Sequence, residues 1–282
     1  MPELPEVEVL VRYLAPLLER RRIRAVEVRR AKVIRPDAVE GFAAELTGAR
    51  FGGLSRRGKH LLFRLRRGRQ DLVLRGHLGM TGRMYLQLAT APLPKHAAVV
   101  FDLGRTRFVF EDVRYFGRLT LDGCGLERLG PEPLGRDFTP SGLAAALRRS
   151  RQPIKVRLLD QTVVAGVGNI YASEALFRAR LAPGRAAGGL SAGEVRRLWR
   201  AVRAVLREAI RWGSTVPLNW SGTGKRDGLF YYGKAPDAPD YYAERLRVYG
   251  REGKPCARCR TPLHRAVQAG RATFFCPRCQ AA

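Results

Sequence analysis

The chain has 282 residues, 45% of them apolar, with 52 Lys and Arg against 25 Asp and Glu and a formal net charge of +27. That length fits two domains plus a small module, and the apolar content excludes a chain disordered throughout. No run approaches the ~18 apolar residues of a membrane span, the start lacks the basic and apolar regions of a signal peptide, and the cationic excess points to a polyanion, foremost nucleic acid. Only seven of the bases are Lys, as a GC-rich genome would give; that bias explains Arg over Lys but not the shortage of acids.

The opening "MPELPEVE" holds three acids, no base and two prolines. Val7, Leu10, Val11, Leu14 and Leu17 or Leu18 recur at helical spacing and predict a first helix. Two chemistries fit the opening. Acids and prolines can cap that helix. Alternatively, removal of Met1 before the small Pro2 leaves a terminal secondary amine. An α-amino group has a pKa of about 8, so it is available near neutrality to attack a carbonyl-like carbon. Glu3 and Glu6 then stand beside it to move protons. Local sequence alone favours the cap.

Residues 1 to 130 read as β-rich. "KHLLFRLRRGRQDLVLRGHL" gives two apolar runs about a turn near Gly68, and "AAVVFDLGRTRFVFEDV" two more about Gly104. "LGPEPLGRDFTP" at 129–140 reads as a linker, centred on 131–138. A helical domain is predicted over 139–247. Thr139-Pro140 offers an N-cap and a proline at the first helical position, and Ser191-x-x-Glu194 is a capping box. Beyond it, Val195, Leu198, Trp199, Val202, Val205, Leu206, Ala209 and Ile210 trace one apolar face, read as core. Within "DQTVVAGVGNIYASEALFRARL" at 160–181, Gly166-x-Gly168-Asn169 precedes a helical pattern. The amides opening that helix make an anion site, although a plain helix–turn–helix corner fits as well. Residues 213–242, rich in Gly, Pro and aromatics, read as a long functional or disordered loop.

At the end of the chain, Cys256-x2-Cys259-x16-Cys276-x2-Cys279 predicts a zinc ribbon over 248–282. Four thiolates complete a tetrahedral site and leave no open position, so one structural Zn2+ is expected, with a β-hairpin in the spacer. Arg265, Gln268 and Arg271 on that hairpin could face phosphate. A fifth cysteine, Cys124, stands alone.

Taken in order, "PELPEVE", "RRGKHLL", "HLGMTG", "VRYFGRL", "DQTVVAGVGNIYASEALF", "VYGREGKPC" and "RATFFCPRCQ" span nearly the whole chain. This ordered set resembles the bacterial formamidopyrimidine-DNA glycosylase family. The resemblance implies an α+β fold: an N-terminal two-sheet β-sandwich, a helical domain with a helix–two-turn–helix, and a C-terminal zinc ribbon, with DNA in a cleft. It implies excision of oxidised purines (8-oxoguanine and formamidopyrimidines) and strand cleavage by β,δ-elimination, and it reverses the reading of the opening. Pro2 is then the nucleophile and Glu3 its acid/base, with Lys59 near the lesion. Glu6, Tyr171 and Thr215 belong to the lesion pocket. His77, Gly168, Asn169 and Arg271 contact the backbone, and Met80, Arg114 and Phe116 fill the vacated stack. The expected partner is duplex DNA carrying a damaged base, with no membrane, and the expected protein is a monomer in the bacterial cytoplasm, on the nucleoid when DNA-bound.

Two stretches depart from the family pattern. "DVRYFG" stands where "DPRRFG" is usual, and "VPLNWSGTGKRDGLFYYG" follows Thr215 where a shorter segment with an Arg-Asp pair is usual. The second leaves lesion preference open. Endonuclease VIII-like enzymes of the same superfamily usually have Gly where this chain has Leu4 and lack a Phe116 wedge. A non-catalytic damage-binding protein would not need Pro2-Glu3, and a zinc-ribbon transcription factor leaves the N-terminal domain unexplained.

Overall fold

The computed structural model describes residues 2–121, 125–211 and 246–281. Thr215, Cys124 and the long loop at 213–242 lie outside the described residues. The described residues fall into two compact units. The first comprises Pro2 and the described part of Glu6–Leu126; the second comprises Glu3–Pro5 and the described parts of Glu127–Trp212 and Tyr241–Ala282.

In the first unit the predicted apolar stripe is buried along α1 (Leu4–Leu18), where Leu18 turns inward and Leu17 outward. Strand β1 (Ala25–Val28) follows, then a 3-10 turn at Ala31–Ile34 and helix α2 (Val39–Leu46). Seven strands come next: β2 (Arg50–Arg57), β3 (His60–Arg67), β4 (Gln70–His77), β5 (Gly82–Leu88), β6 (Ala97–Asp102), β7 (Thr106–Asp112) and β8 (Arg118–Thr120). The predicted hairpins are β3–β4 and β6–β7, both antiparallel. They lie in different four-stranded sheets, ordered β2-β3-β4-β8 and β1-β6-β7-β5.

Alternation along each strand turns one face of each sheet onto a shared core. Phe51 and Phe63 from one sheet meet Phe108 from the other at ring separations of 6.1 and 5.6 Å. Burying each such ring stabilises the sandwich by about 1.5–3 kcal/mol.

In the second unit, Thr139 accepts a hydrogen bond from the Gly142 amide and caps α3 (Pro140–Leu147), with Pro140 in the first turn. The short α4 (Ile154–Leu159) and α5 (Asn169–Ala179) flank two turns. Asp160 and Gln161 hold those turns. The Asp160 carboxylate accepts from Thr162, while the Gln161 amide group donates to the Leu159 and Val167 carbonyls and accepts from the Gly166 amide. The capping box forms reciprocally: the Ser191 amide donates to Glu194 at 2.8 Å, and the Glu194 amide to Ser191 Oγ at 3.3 Å, opening α6 (Ala192–Arg211). Val195, Leu198, Val202 and Leu206 are buried as predicted.

The division differs from the sequence reading in two places. The break falls at Leu126/Glu127, and the stretch read as a linker is fastened to the helices. Arg203 Nη1 donates to the Pro133 and Gly135 carbonyls, both at 2.9 Å, and the Gly130 amide to the Gln161 carbonyl at 2.8 Å. Proline and glycine mark irregular backbone here, and the helical unit supplies its hydrogen-bond partners. Glu3–Pro5 also belong with the helical unit, although α1 belongs mainly with the sandwich.

Candidate active site

The N-terminal residues meet helix α5 through Glu3. Helices leave their first amides without intrahelical partners, and Gly168, the N-cap of α5, has no side chain to offer. Glu3 fills that role from 165 residues away. Its Oε2 accepts from the Gly168 amide at 2.7 Å and the Tyr171 amide at 3.3 Å, and its Oε1 from the Ile170 amide at 2.8 Å. The anion held at this helix start is therefore the chain's own carboxylate rather than an external phosphate. A Cβ on Gly168 would lie 2.4 Å from the Glu3 carboxyl carbon, so the motif needs glycine for this close approach. Pro2, Glu3 and Glu6 are all buried.

The remaining acid of the opening, Glu8, has a different task. It accepts from Arg12 and Arg56, both at 2.9 Å, and Arg56 Nη1 also donates to the Gly58 carbonyl. Burial pushes the Glu8 carboxyl up, but the two guanidinium partners outweigh it and hold the carboxyl below its ordinary value. This pins the β2–β3 turn that presents Lys59.

Around α5 the second unit gathers Glu3, Gly168, Asn169, Tyr171 and the segment bearing Arg271. The ribbon hairpin, β9 (His264–Gln268) and β10 (Arg271–Phe275), is tied here by one carbonyl. Ala272 O accepts from Asn169 Nδ2 at 2.9 Å and from Lys155 Nζ at 2.8 Å; Lys155 also donates to Thr273 Oγ1 at 2.7 Å. Lys155 is fully buried. Burial lowers its pKa to about 8; the Glu3 charge opposes this and the Arg271 charge adds to it. The two donors fix the strand beside Arg271, whose own side chain is exposed. Lys155 carries no motif and was not singled out from sequence. The available signal was one of only seven lysines in an arginine-rich chain, standing in the apolar stretch "PIKVRLL".

Within the sandwich unit Lys59 lies close to a histidine pair. His60 and His77 sit with ring centroids 4.9 Å apart, at facing ends of β3 and β4. Burial lowers His77 to about 4, with Lys59, Arg75 and Arg118 adding to the shift. Burial lowers His60 to about 3, with His77, Arg75, Lys59 and Arg57 contributing. Both rings are neutral near pH 7. The Gly79 amide donates to His77 Nδ1 at 3.1 Å, which leaves the proton on Nε2. The result is a neutral donor surrounded by cations, suited to a phosphate.

Met80, Arg114 and Phe116 form one exposed cluster in the same unit. Arg114 lies over the Phe116 ring at 4.7 Å and Lys32 over the same ring at 5.6 Å, while Arg114 Nη1 approaches Met80 Sδ at 3.4 Å. The fully buried Asp112 supports them: it accepts from the Arg114 amide at 3.1 Å, from the Gly117 amide at 2.7 Å and from the Thr81 hydroxyl. Two large apolar side chains held in solvent by a buried carboxylate can enter a base stack. Val113 and Tyr115, the departures from the family pattern, sit within this turn, and Tyr115 has φ +53°.

The four predicted cysteine sulfurs lie within 4.8 Å of one another, the Cys256–Cys279 and Cys259–Cys276 pairs at 3.9 and 3.4 Å. A tetrahedral Zn2+ with Zn–S of about 2.3 Å requires S···S separations of roughly 3.8 Å. The donor set fits one zinc ion with all four positions taken by protein.

Family models match in the order of these parts: Formamidopyrimidine-DNA glycosylase N-terminal domain at residues 1–119, Formamidopyrimidine-DNA glycosylase H2TH domain at 129–218, and Zinc finger found in FPG and IleRS at 253–282. The formamidopyrimidine-DNA glycosylase of Symbiobacterium thermophilum is 44% identical, over 99% of this chain and 89% of its own. That of Thermus thermophilus is 45% identical, over 99% and 98%. Among solved structures, the complex of a Lactococcus lactis Fpg mutant with Fapy-dG-containing DNA superposes with a TM-score of 0.87 at 32% identity, covering all of both chains. The complex of that bacterium's Fpg with abasic-site DNA gives 0.86 at 32% identity, over 99% of this chain and 100% of the other.

Proposed function

The chain belongs to the formamidopyrimidine-DNA glycosylase family, and on that premise we propose how its own residues carry the reaction. The protein is a DNA glycosylase and abasic-site lyase of base excision repair, with damaged duplex DNA as its partner and one structural zinc ion. Its lesions are formamidopyrimidines and 8-oxoguanine. It works in the cytoplasm, on the nucleoid while DNA-bound.

A base inside a duplex is out of reach and must be flipped out. Met80 and Phe116 enter the vacated stack, and Arg114 hydrogen-bonds the orphaned partner base. Lys59, His77, Asn169 and Arg271 take phosphates. The amide of Gly168 is engaged by Glu3, so this glycine serves by lacking a side chain. Glu6, Tyr171 and Thr215 are the residues that the family resemblance assigns to the lesion pocket. The zinc ion holds the ribbon that carries Arg271 and takes no part in the bond changes.

With Met1 removed, the Pro2 nitrogen bonds to C1′ of the damaged nucleotide as the bond from C1′ to the base breaks, and the base leaves with a proton. Loss of the amine proton and opening of the sugar ring leave an iminium. The iminium acidifies C2′. Removal of a C2′ proton expels the 3′ phosphate, and a second elimination expels the 5′ phosphate. Glu3 adjoins the cationic nitrogen, where its carboxylate stabilises the charge and relays these protons.

The observation that carries this reading is the Glu3 carboxylate, fixed by three amides in the residue next to Pro2. Glu3→Gln should retain lesion binding and lose base excision by about 10²-fold or more. A protein with one additional N-terminal residue that cannot be trimmed should bind a lesion duplex, yet neither excise nor form a borohydride-trapped adduct. An adduct from that blocked protein would assign the nucleophile to a lysine instead of Pro2.

A further inference from the structure

At one corner of the β-sandwich, Arg20, Arg21, Arg22, Arg24 and Arg50 line a single cavity of ≈ 610 Å³, together with the Thr47-Gly48 turn and no carboxylate. None of the five has an ion-pair partner among the described residues, and all are exposed. The backbone dictates their convergence. Residues 20–23 are laced to 48–51 by four hydrogen bonds: Arg20 N to Phe51 O, Phe51 N to Arg21 O, Ile23 N to Ala49 O and Gly48 N to Ile23 O, at 2.8–2.9 Å. Ile23, Ala49 and Phe51 are buried. Strand alternation therefore sends Arg22, Arg24 and Arg50 outward on one surface. The Arg24 guanidinium lies against the turn at Gly104, where a Cβ would come within 2.8 Å of it. Five guanidinium groups around one concavity repel one another, and no carboxylate is among the described residues that line it; a bound polyanion would relieve the repulsion.

This corner is remote from the Met80–Phe116 cluster. Arg20–Arg24 precede β1 and Arg50 opens β2, which are edge strands, whereas Met80 and Phe116 precede β5 and β8 at the opposite edges. Along the strands, Ala25 pairs with Asp102 at the β6–β7 turn, whereas Phe116 follows the far end of β7. Three strand spacings and six residue rises put the two places roughly 25 Å apart on the diagonal.

We propose that the arginine corner is a second nucleic-acid site, taking the phosphodiester backbone of a DNA segment separate from the lesion-bearing one. Guanidinium forks suit phosphate oxygens bidentately, and with no aromatic side chain among the described residues lining the cavity, backbone charge is what is read. A protein holding a second segment there can pass between duplexes without first dissociating.

The test is the stoichiometry of a short undamaged duplex by sedimentation at low salt, on wild type and on the quadruple variant Arg20→Gln/Arg22→Gln/Arg24→Gln/Arg50→Gln, whose glutamines keep most of the apolar stem. Wild type should bind two duplexes per chain and the variant one, with unchanged melting temperature and unchanged excision on a short lesion duplex. With each phosphate contact contributing about 0.9 to the log–log salt slope, four contacts make second-duplex affinity fall on the order of 10²-fold between about 50 and 200 mM salt. Equal stoichiometry in the two proteins would overturn the proposal. So would a wild type that binds inorganic tripolyphosphate at this corner but no second duplex at any salt, since the site would then serve a free polyphosphate.

Discussion

Among the described residues, thirty buried apolar side chains form the continuous core of the sandwich unit, with phenylalanines meeting edge-on across the two sheets. The ribbon's buried cluster numbers five among the described residues; two of those are cysteines, and one, Phe177, is lent by α5. Four of the five β9 residues are exposed. Hydrophobic burial scales with the area removed from water, and a hairpin of this size removes little. The ribbon is held instead by polar and metal bonds: four thiolates, the Lys155 and Asn169 donors on Ala272, and Glu174, whose buried carboxylate accepts from the amides of Arg247, Val248 and Tyr249, each at 2.9 Å. Burial pushes the Glu174 carboxyl up, against those three amides. Tolerance to side-chain loss should therefore differ sharply between the two regions.

The largest effect expected from that contrast is at a zinc ligand. Cys276→Ser should release zinc, unfold the ribbon and abolish tight binding of lesion duplex, because in small metal sites binding free energy is folding free energy. The sandwich should persist, visible as retained near-ultraviolet dichroism from its aromatic core. Normal lesion binding by metal-free protein would end the contrast.

A deletion in the sandwich core should be costly but survivable. Phe108→Ala removes a ring that contacts Phe51, Phe63 and Phe101 and should cost about 3–5 kcal/mol. A lowered denaturation midpoint with zinc content unchanged is the expected result. Loss of zinc from this variant would mean that the ribbon depends on the sandwich.

A third effect, graded rather than all-or-none, concerns pH and should reside in the sandwich. His60 and His77 titrate near 3 and 4 when folded, against about 6.5 unfolded. Their contribution is intact above 6.5. As pH falls below it the unfolded chain takes up protons that the folded chain refuses, so stability declines toward pH 4, by at most about 1.4 kcal/mol per pH unit for each ring. Thermal melts from pH 7.5 to 5 should show this, and His60→Gln/His77→Gln should flatten the curve. An unchanged slope in the double variant would assign the acid sensitivity to other groups.

Residue patterns that act within a few positions were legible without coordinates. The α1 stripe, both hairpins, the Thr139 cap, the Ser191–Glu194 box and the cysteine quartet are encoded by periodicity, turn residues or ligand spacing, and each forms as read. The residues proposed for chemistry were legible as an ordered set of motifs rather than as geometry, since Pro2-Glu3 alone fits a helix cap as well as a nucleophile.

Tertiary structure alone decided the partnerships that close over long separations. Glu3 caps α5 across 165 residues, Lys155 reaches a ribbon carbonyl across 117, and Glu8 takes an arginine 48 residues on. The same holds for the stretch at 129–140, whose prolines announce irregular backbone but not the Arg203 that fastens it. Five arginines spread over residues 20–50 become one cavity only once two edge segments are laced together. Local pattern determines which backbone conformations are cheap. Which buried polar group meets which depends on satisfying every donor and acceptor that folding removes from water, and that requirement is met only when distant parts of the chain are brought together.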